Sequence, residues 1–278
     1  MGARRSHPRP PGGSRRRPGR RPRRHDLAPQ GADRPVAGAI WGRHPVREAL
    51  TAGYQLTRLM VARGAAESTA PLREMAGNAG VPVAFVDTAE LDAQSFGGNH
   101  QGVVAAMEST PNPSLSDLLQ PHPGRTQPPL ILAADQVEDV GNLGSLVRTL
   151  EACGGAGVIV PQRRSASLTG GLARASAGAS LRTTVVNVTN LARALKSLQS
   201  DGVRVIGLDA DAETPFDDLA FDAPCCIVVG NEARGMRPSV REACDAIVRV
   251  PLRSGIGSLN VAAAGAIVLH HIARQRTG

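Results

Sequence analysis

The fold of this chain is indicated first by one stretch of sequence, Leu130-Ile-Leu-Ala-Ala-Asp-Gln-Val-Glu-Asp-Val-Gly-Asn-Leu-Gly-Ser-Leu-Val-Arg148. The apolar run Leu130 to Ala134 predicts a strand buried on both faces, and Leu143 to Cys153 has the apolar spacing of a helix. Gly141 lies in the turn between the two, and Gly144 lies at the start of the helix. A buried strand that enters a helix through such a turn is typical of a parallel α/β sheet.

The same alternation of apolar runs and helical segments continues to the end of the chain. Strands are predicted at Leu130 to Ala134, Gly157 to Val160, Thr184 to Val188, Val203 to Leu208, Cys225 to Val229 and Ile247 to Val250. Helices are predicted at Leu143 to Cys153, Leu191 to Gln199 and Leu259 to Gln275. We therefore expect an α/β domain over residues 130–278, with a parallel sheet covered on both faces. Ligands of such sheets bind beyond the carboxyl ends of the strands, so the loops there are the candidate site.

A second, smaller α/β domain is predicted over residues 36–108. Helices are predicted at Pro45 to Ala52 and Pro71 to Ala79, and strands at Leu59 to Ala62, Val81 to Val86 and Gly102 to Met107. Residues 109–129 contain six prolines. Because proline fixes φ and removes a backbone donor, this stretch predicts an interdomain linker, with one helical turn at Leu115 to Leu119.

The first 35 residues hold the excess positive charge. They contain eleven arginines against Asp26 and Asp33, a net charge of +9, so the remaining 243 residues sum to −1 of the total of +8. This segment is rich in Pro, Gly and Arg and is predicted to be disordered, because it has too few apolar residues to offset the entropy of folding. It is either a solvated tail or a flexible polycation that holds nucleic-acid phosphate.

The same segment does not have the features of a targeting peptide. It lacks the apolar core of a secretory signal, and its prolines oppose a transit-peptide helix, so we expect a cytoplasmic protein.

The composition excludes several other classes of protein. Nowhere do 18 apolar residues run together, so no membrane span is predicted. Cys153, Cys225, Cys226 and Cys244 form no CxxC pair and lie in apolar stretches. They are typical of buried reduced thiols rather than of a zinc site or a disulfide framework, and no metal is predicted.

The first loop that carries chemistry follows the strand predicted at Leu130 to Ala134. Asn142 is predicted to cap the next helix, and Gly141 and Gly144 let the backbone turn tightly and approach a ligand. Arg148 follows six residues after Asn142 and is expected to project from the same end of the sheet. Taken alone, this loop favours an ordinary strand-to-helix turn followed by a surface arginine.

The second loop is Val228-Val-Gly-Asn-Glu-Ala-Arg-Gly-Met236, again directly after an apolar strand. Gly230 would allow a flat ligand to pass close over the strand end, and Glu232 brings a carboxylate to the same edge. The alternative is a glycine turn with a solvated acid.

The third loop is Val250-Pro-Leu-Arg-Ser-Gly-Ile-Gly-Ser-Leu-Asn260. Ser258 is predicted as the N-cap of the last helix, and Asn260, in its first turn, keeps its amide near the strand ends. Gly255 and Gly257 come close to the dinucleotide fingerprint, which requires a further strand and an acidic residue about 20 positions on. Only 18 residues follow Asn260, so a nicotinamide-dependent oxidoreductase is disfavoured.

Together the three loops resemble, in order and spacing, the three motifs of the SpoU (TrmH) family of RNA 2′-O-ribose methyltransferases, of the SPOUT class. The resemblance covers about Leu130 to Arg276. Upstream, Trp41-Gly-Arg-His-Pro-Val46 and His100-Gln-Gly-Val-Val104 resemble the RNA-binding domain of the subgroup that methylates a guanosine of 23S ribosomal RNA.

This resemblance implies properties that periodicity alone does not. It implies a deep trefoil knot, S-adenosylmethionine bound bent within that knot, and a homodimer in which each site is completed by its neighbour. The positions that match the family's catalytic and substrate-positioning residues are Asn142, Arg148, Glu232, Ser258 and Asn260. Those that match cofactor-holding positions, through backbone groups and apolar contact with the adenine, are Gly230, Val250 and Leu259.

Two residues depart from the family pattern that this sequence resembles. Val140 stands where the first motif usually has proline, and Ala233 stands where the second usually has glycine. The first change should only loosen a turn. The second matters if that position needs a positive φ.

The resemblance also implies a mechanism for activating the ribose hydroxyl. A guanidinium keeps its proton, so Arg148 is expected to stabilise the developing alkoxide and to grip the adjacent phosphate rather than act as a base. Glu232 and Asn260 would orient Arg148 and the ribose, and Ser258 could relay a hydrogen bond. His270 and His271 lie about three turns from the site, at the helix surface or a dimer contact, and are expected to carry no chemistry.

Two alternatives remain open from the sequence. The motifs report the reaction and not the RNA, so the substrate could be transfer RNA rather than 23S ribosomal RNA. The chain could also be a noncatalytic RNA-binding or ribosome-assembly factor, although the polar residues of all three motifs are present. The chain contains only one Trp, one Tyr and four Phe. Recognition of RNA should therefore depend more on shape and phosphate contacts than on base stacking.

Overall fold

The computed structural model describes residues 1–2, 38–107, 113–121, 126–162, 165–253 and 257–277, with the backbone alone for 165–169. Apart from its first two residues, the segment predicted to be disordered, 1–35, lies outside the described residues, as does Gly255. The described residues from Gly38 onwards belong to one compact unit.

A four-stranded mixed sheet forms the first half of this unit. Its strands are β1 (Ala39–Trp41), β2 (Leu56–Ala62), β3 (Val83–Val86) and β4 (Val103–Met107), and its helices are α1 (Arg43–Thr51), α2 (Ala70–Asn78) and α3 (Thr88–Gln94). The strand order is β1-β4-β2-β3, with β3 parallel to β2 and the other two pairs antiparallel. The predicted strands and helices of this region are confirmed. The sequence did not predict β1 or α3, which are too short for a clear period.

A seven-stranded sheet forms the second half. Its strands are β5 (Leu130–Ala134), β6 (Gly157–Pro161), β7 (Thr184–Val188), β8 (Arg204–Leu208), β9 (Thr214–Pro215), β10 (Cys225–Val229) and β11 (Ala246–Arg249). They run in the order β7-β6-β5-β10-β8-β11-β9, and every neighbouring pair is parallel. The six predicted strands and their parallel arrangement are confirmed. Only the two-residue β9 was not predicted.

Six helices accompany this sheet in the part of the chain that the structure describes. They are α4 (Val140–Ala152), α5 (Ser165–Ala175), α6 (Ala179–Arg182), α7 (Leu191–Ser200), α8 (Pro238–Arg241) and α9 (Val261–Thr277). Helices α4, α7 and α9 were predicted. A single 3-10 turn, Leu115–Leu118, lies in the proline-rich stretch, where one helical turn was expected.

The helices cover both faces of the parallel sheet, as predicted. Leu132 of β5 packs in one buried cluster with Leu146 of α4 and Val268 of α9. The preceding residue, Ile131, packs on the opposite face of the sheet, in a second cluster with Leu195 of α7. Because successive side chains of a strand point to opposite faces, a continuous apolar run is what such a two-sided burial requires.

Helix α5 was not predicted because its sequence opposes helix formation. It contains the pair Gly170 and Gly171, and each interior glycine costs about 1 kcal/mol relative to alanine. The packing explains Gly170, since a Cβ there would lie 2.0 Å from the Trp41 ring. Trp41, at the end of β1, therefore fixes the distance between the small sheet and α5.

The structure corrects both predicted helix caps. Helix α4 begins at Val140, and the Asp139 carboxylate, not Asn142, caps it by accepting a hydrogen bond of 2.8 Å from the Asn142 backbone N–H. Helix α9 begins at Val261, after Asn260 rather than before it. The Asn260 Oδ1 accepts from the backbone N–H of Ala262 at 2.9 Å and of Ala263 at 3.3 Å, the role predicted for Ser258. Each cap lies within two or three residues of the predicted one.

The four cysteines are free thiols, as predicted, although Cys153 and Cys244 are only half-buried. Burial raises the pKa of all four, that of Cys244 to about 12, so they stay protonated near neutral pH. Within the described residues, no helix is both long and apolar enough to cross a bilayer.

Val140→Pro is expected to leave the free energy of unfolding unchanged or to raise it by up to about 1 kcal/mol, measured by urea denaturation. Val140 is the first residue of α4, where the missing N–H of proline costs nothing, and Asp139 before it is already extended (φ −76°, ψ 115°). Ser145→Pro, in the exposed middle of the same helix, is the control and should cost about 3 kcal/mol or more. A loss of similar size in both variants would contradict this explanation.

Candidate functional site

Three predicted polar side chains from three distant loops meet in one hydrogen-bonded group. The Asn142 amide donates from Nδ2 to Oε1 of Glu232 at 2.9 Å. The Asn260 amide donates from Nδ2 to Oδ1 of Asn142 at 3.1 Å. We call Asn142, Glu232 and Asn260 the polar trio. Asn142 is its centre, because it uses both ends of its amide to join the other two.

The strand order brings the trio together. Asn142 follows β5 and Glu232 follows β10, and the ends of these neighbouring parallel strands pair Ala134 with Val229. Parallel strands end at the same edge of a sheet, so both loops leave from adjacent points. Helix α9 brings Asn260 to this edge by packing against α4. A Cβ at Gly265 would lie 2.3 Å from the Leu146 Cδ2, so glycine permits this close approach.

The loop that carries Glu232 is a tight turn closed by Asn231. The Asn231 side chain accepts from the backbone N–H groups of Ala233 and Arg234, and its Nδ2 donates to the Gln136 carbonyl at 3.0 Å. The residue with a positive φ in this turn is Gly235, at 69°, and not Ala233. Alanine in place of the family's glycine therefore causes no backbone strain here.

Gly230 is required by its own loop. A Cβ at this position would lie 2.3 Å from the Gly235 carbonyl carbon and 2.4 Å from the Met236 backbone nitrogen. From the sequence, this glycine was expected to permit the close passage of a ligand. The structure gives a different reason, since the turn folds back directly over Gly230.

A cavity of about 640 Å³ opens beside the trio at the carboxyl ends of β8, β10 and β11. The predicted cofactor positions Gly230, Val250 and Leu259 all line it, as do Glu232 and Ser258. Its lining also includes residues that the sequence analysis missed, namely Leu208, Asp209, Ala210, Asp211 and Leu252. Four of them end or follow β8, so the rule that ligands bind beyond strand ends would have indicated them.

Arginine side chains hold the β8 loop that forms this wall. Arg241 forms an ion pair with Asp209, and Arg249 donates to the backbone carbonyl of Ala212 at 2.6 Å and to that of Glu213. The Asp209 carboxylate also accepts from the Asp211 backbone N–H at 3.0 Å. The loop is thus tied down on two sides, which gives the cavity a defined wall.

A fully buried carboxylate anchors the turn after β10. Asp135, which directly follows β5, accepts from the Arg237 backbone N–H at 2.7 Å and from its Nε at 2.8 Å. The Arg237 guanidinium forms a second contact of 2.7 Å through Nη2. This role of Asp135 was not predicted from the sequence. Its position directly after a buried strand was the available signal.

Arg148 does not join the trio within this chain. It lies on α4, is exposed, and forms no hydrogen bond or ion pair with any residue that the structure describes. Six residues of helix place it about 9 Å along the axis from Asn142 and about 240° around it, so the two side chains leave different faces. The expectation that Arg148 projects from the same end of the sheet therefore stays a prediction.

The two histidines of α9 differ in their surroundings. His270 is exposed, as expected for the helix surface. His271 is half-buried and packs edge-on against Phe216, with ring centroids 4.9 Å apart and an interplanar angle of 87°, and against Phe221 at 6.1 Å. His271 therefore belongs to the packing between α9 and these two rings, and it does not line the cavity.

Two family models match this chain. The model described as the SpoU rRNA Methylase family matches residues 129–270, and that described as RNA 2′-O ribose methyltransferase substrate binding matches residues 39–113.

The chain is 42% identical over 240 residues to an uncharacterised tRNA/rRNA methyltransferase of Mycolicibacterium vanbaalenii, a match that covers 85% of this chain and 76% of the relative. A protein of the same description from Mycobacterium ulcerans is 43% identical over 240 residues, with coverage of 85% and 77%. The crystal structure of the SpoU methyltransferase AviRb from Streptomyces viridochromogenes, in complex with the cofactor AdoMet, superposes with a TM-score of 0.72. It is 22% identical and covers 86% of this chain and 90% of its own, so this likeness concerns the fold.

Proposed function

The chain belongs to the SpoU rRNA methylase family, and we propose that it transfers a methyl group from S-adenosylmethionine to a ribose 2′-hydroxyl of RNA. The observation that carries this proposal is the polar trio, whose Glu232 also lines the cavity. A nucleophilic hydroxyl and a methyl donor must meet in line, and a group of hydrogen-bonded side chains beside a small-molecule cavity can hold them so.

The cavity fits a cofactor of this size. Its volume of about 640 Å³ lies within the usual range for small-molecule sites, and Val229, Leu259 and Val261 offer apolar contacts for an adenine. We propose that Gly230, Val250 and Leu259 hold the cofactor, chiefly through backbone groups, and that the wall at Asp209 and Asp211 contributes. When bound, S-adenosylmethionine supplies an electrophilic methyl group on its sulfonium. The deep knot implied by the family remains a prediction.

We propose that Arg148 acts on the ribose by electrostatics. A guanidinium keeps its proton, so its positive charge stabilises the alkoxide that develops as the ribose hydroxyl loses its proton. The same guanidinium can hold the adjacent phosphate through two parallel hydrogen bonds. The trio orients the ribose, and Ser258 on the cavity wall is placed to accept or relay a hydrogen bond. No metal has a part in this proposal.

Since Arg148 does not reach the trio of its own chain, we propose a homodimer in which Arg148 of one copy completes the site of the other. A guanidinium without a partner among the described residues of its own chain supports this arrangement. A symmetric pair uses the same surface twice, so a single interface would complete two sites.

We propose 23S ribosomal RNA, and within it a guanosine, as the substrate. Residues 39–113 match the substrate-binding model for RNA 2′-O-ribose methyltransferases, and this region supports an RNA-binding role for the small domain. Transfer RNA is the second candidate, because the relatives are described as tRNA/rRNA methyltransferases.

We further propose two domains, at residues 36–108 and 130–278, joined by a linker at 109–129. We propose that the Arg-rich segment 1–35 is disordered and holds RNA phosphate, and that the protein is cytoplasmic.

The test is incubation with methyl-labelled S-adenosylmethionine and unmodified transcripts of 23S ribosomal RNA or transfer RNA, followed by alkaline hydrolysis. We expect label in alkali-resistant dinucleotides from 23S ribosomal RNA, because a 2′-O-methyl blocks cleavage. Label only in transfer RNA would select the second candidate. Label in mononucleotides would mean base methylation and would overturn the proposal. Failure to bind S-adenosylmethionine in a calorimetric titration would instead favour a noncatalytic RNA-binding or assembly factor.

A further inference from the structure

Arg182, at the end of α6, links two helices that lie far apart in sequence. Its Nε donates to Oε1 of Glu151 on α4 at 3.0 Å, and its Nη1 pairs with Glu48 on α1. All three side chains are only partly exposed, between 29% and 40%. The two acids raise the pKa of Arg182, chiefly through the hydrogen bond that Arg182 donates to Glu151. The position of the Glu151 carboxylate is therefore set by Arg182.

The geometry around Glu48 is built for this contact. A Cβ at Gly178 would lie 2.5 Å from the Glu48 Cγ, so glycine leaves the space that the Glu48 side chain fills. Leu181, next to Arg182, packs in one buried cluster with Val46 of α1. The backbone on both sides of the Arg182–Glu48 pair is thus fixed by close packing.

Glu151 stands three residues after Arg148 on α4. Side chains at this spacing are neighbours on a helix, about 5–6 Å apart at Cβ, and opposite charges there attract. Glu151 is thus a ready partner for Arg148. Nevertheless, Arg148 has no ion pair with any residue that the structure describes, and Glu151 is paired with Arg182 instead.

We infer that Arg182 is a positioning residue, which engages Glu151 and so keeps the Arg148 guanidinium available to RNA. This inference rests on the proposed function, in which Arg148 acts on the ribose and its phosphate. Without Arg182, the Glu151 carboxylate turns to Arg148, and RNA must then compete with that carboxylate for the guanidinium.

The test compares Arg182→Met, Glu151→Gln and the double variant, with saturating RNA and S-adenosylmethionine at low ionic strength. Methionine keeps an apolar stem and removes the charge. We expect Arg182→Met to lower kcat about two- to fivefold, as a partly exposed ion pair allows, with the KM for S-adenosylmethionine unchanged. The double variant should recover most of the wild-type kcat, because the competing carboxylate is gone. Arg193→Met, an exposed site on α7, removes the same charge elsewhere and should leave kcat unchanged.

A second readout follows Arg148 directly, without turnover. Phenylglyoxal modifies accessible guanidinium groups, and mass spectrometry of the Arg148 peptide gives the rate. We expect slower modification of Arg148 in Arg182→Met and wild-type modification in the double variant.

The outcomes separate this inference from the proposed function. If the wild type methylates RNA and the double variant is as slow as Arg182→Met, Arg182 acts through the structure alone and the inference is overturned. Wild-type kcat in Arg182→Met would overturn it as well. If the wild type itself transfers no methyl group to RNA, the proposed function fails, and the phenylglyoxal rates still decide whether Arg182 keeps Arg148 free.

Discussion

Replacing Arg148 with alanine is expected to lower the kcat of RNA methylation by about 10²- to 10³-fold, the usual cost of removing one group that stabilises developing charge. The affinity for S-adenosylmethionine should stay within about twofold, because Arg148 does not line the cavity. Arg148→Lys keeps the charge but loses the planar fork that grips a phosphate, so it should recover only part of the activity. Single-turnover methylation and a calorimetric titration measure the two effects. Near-normal turnover of Arg148→Ala would show that the guanidinium has no role in the reaction.

Mixing two inactive variants tests where Arg148 acts. In an equal mixture of Arg148→Ala and Asn142→Ala protomers that exchange freely, half of the dimers are mixed. Each mixed dimer contains one site with an intact trio and an intact Arg148 from the other copy. By this symmetry we expect about one quarter of the wild-type activity. If Arg148 served the trio of its own chain, every site in the mixture would lack one residue and no activity would return.

Replacing Asp135 with alanine is expected to lower the free energy of unfolding by about 3–5 kcal/mol, measured by urea denaturation. The change leaves the partly buried backbone N–H of Arg237 without its acceptor and leaves a guanidinium without its partner. Because the Arg237 side chain is 42% exposed and can be hydrated, we expect a value near the lower end. The affinity for S-adenosylmethionine should fall too, since this contact anchors the turn that carries Gly230 and Glu232.

Asp218→Ala is the matched control for this variant. Asp218 is exposed in a short 3-10 turn, so its loss should change the free energy of unfolding by no more than about 0.5 kcal/mol. Asp135→Asn keeps one oxygen acceptor but loses the charge, and it should fall between the two. Equal midpoints for Asp135→Ala and Asp218→Ala would mean that the buried carboxylate contributes nothing to stability.

The sequence predicted the sheet well because burial of strands is a local property. An apolar run such as Leu130 to Ala134 indicates a strand that is buried on both faces. The apolar spacing of the helix that follows indicates that one side of that helix is buried. The same reasoning failed for α5, because Gly170 opposes the local helix propensity and is explained only by its contact with the Trp41 ring, which is distant in sequence. Short elements such as β1 and α3 were missed because a few residues define no period.

By itself, the sequence determined that polar residues follow buried strands in three loops and that the chain resembles one family. It also indicated which side chains belong to that pattern, because their types and spacing are local. The tertiary structure alone decided that β10 lies between β5 and β8, which joins Asn142 to Glu232 and lets Asp135 reach Arg237. It also left Arg148 without a hydrogen bond to the trio and paired Glu151 with Arg182. These pairings join residues up to 102 positions apart, and only the packing of whole helices and strands fixes such distances.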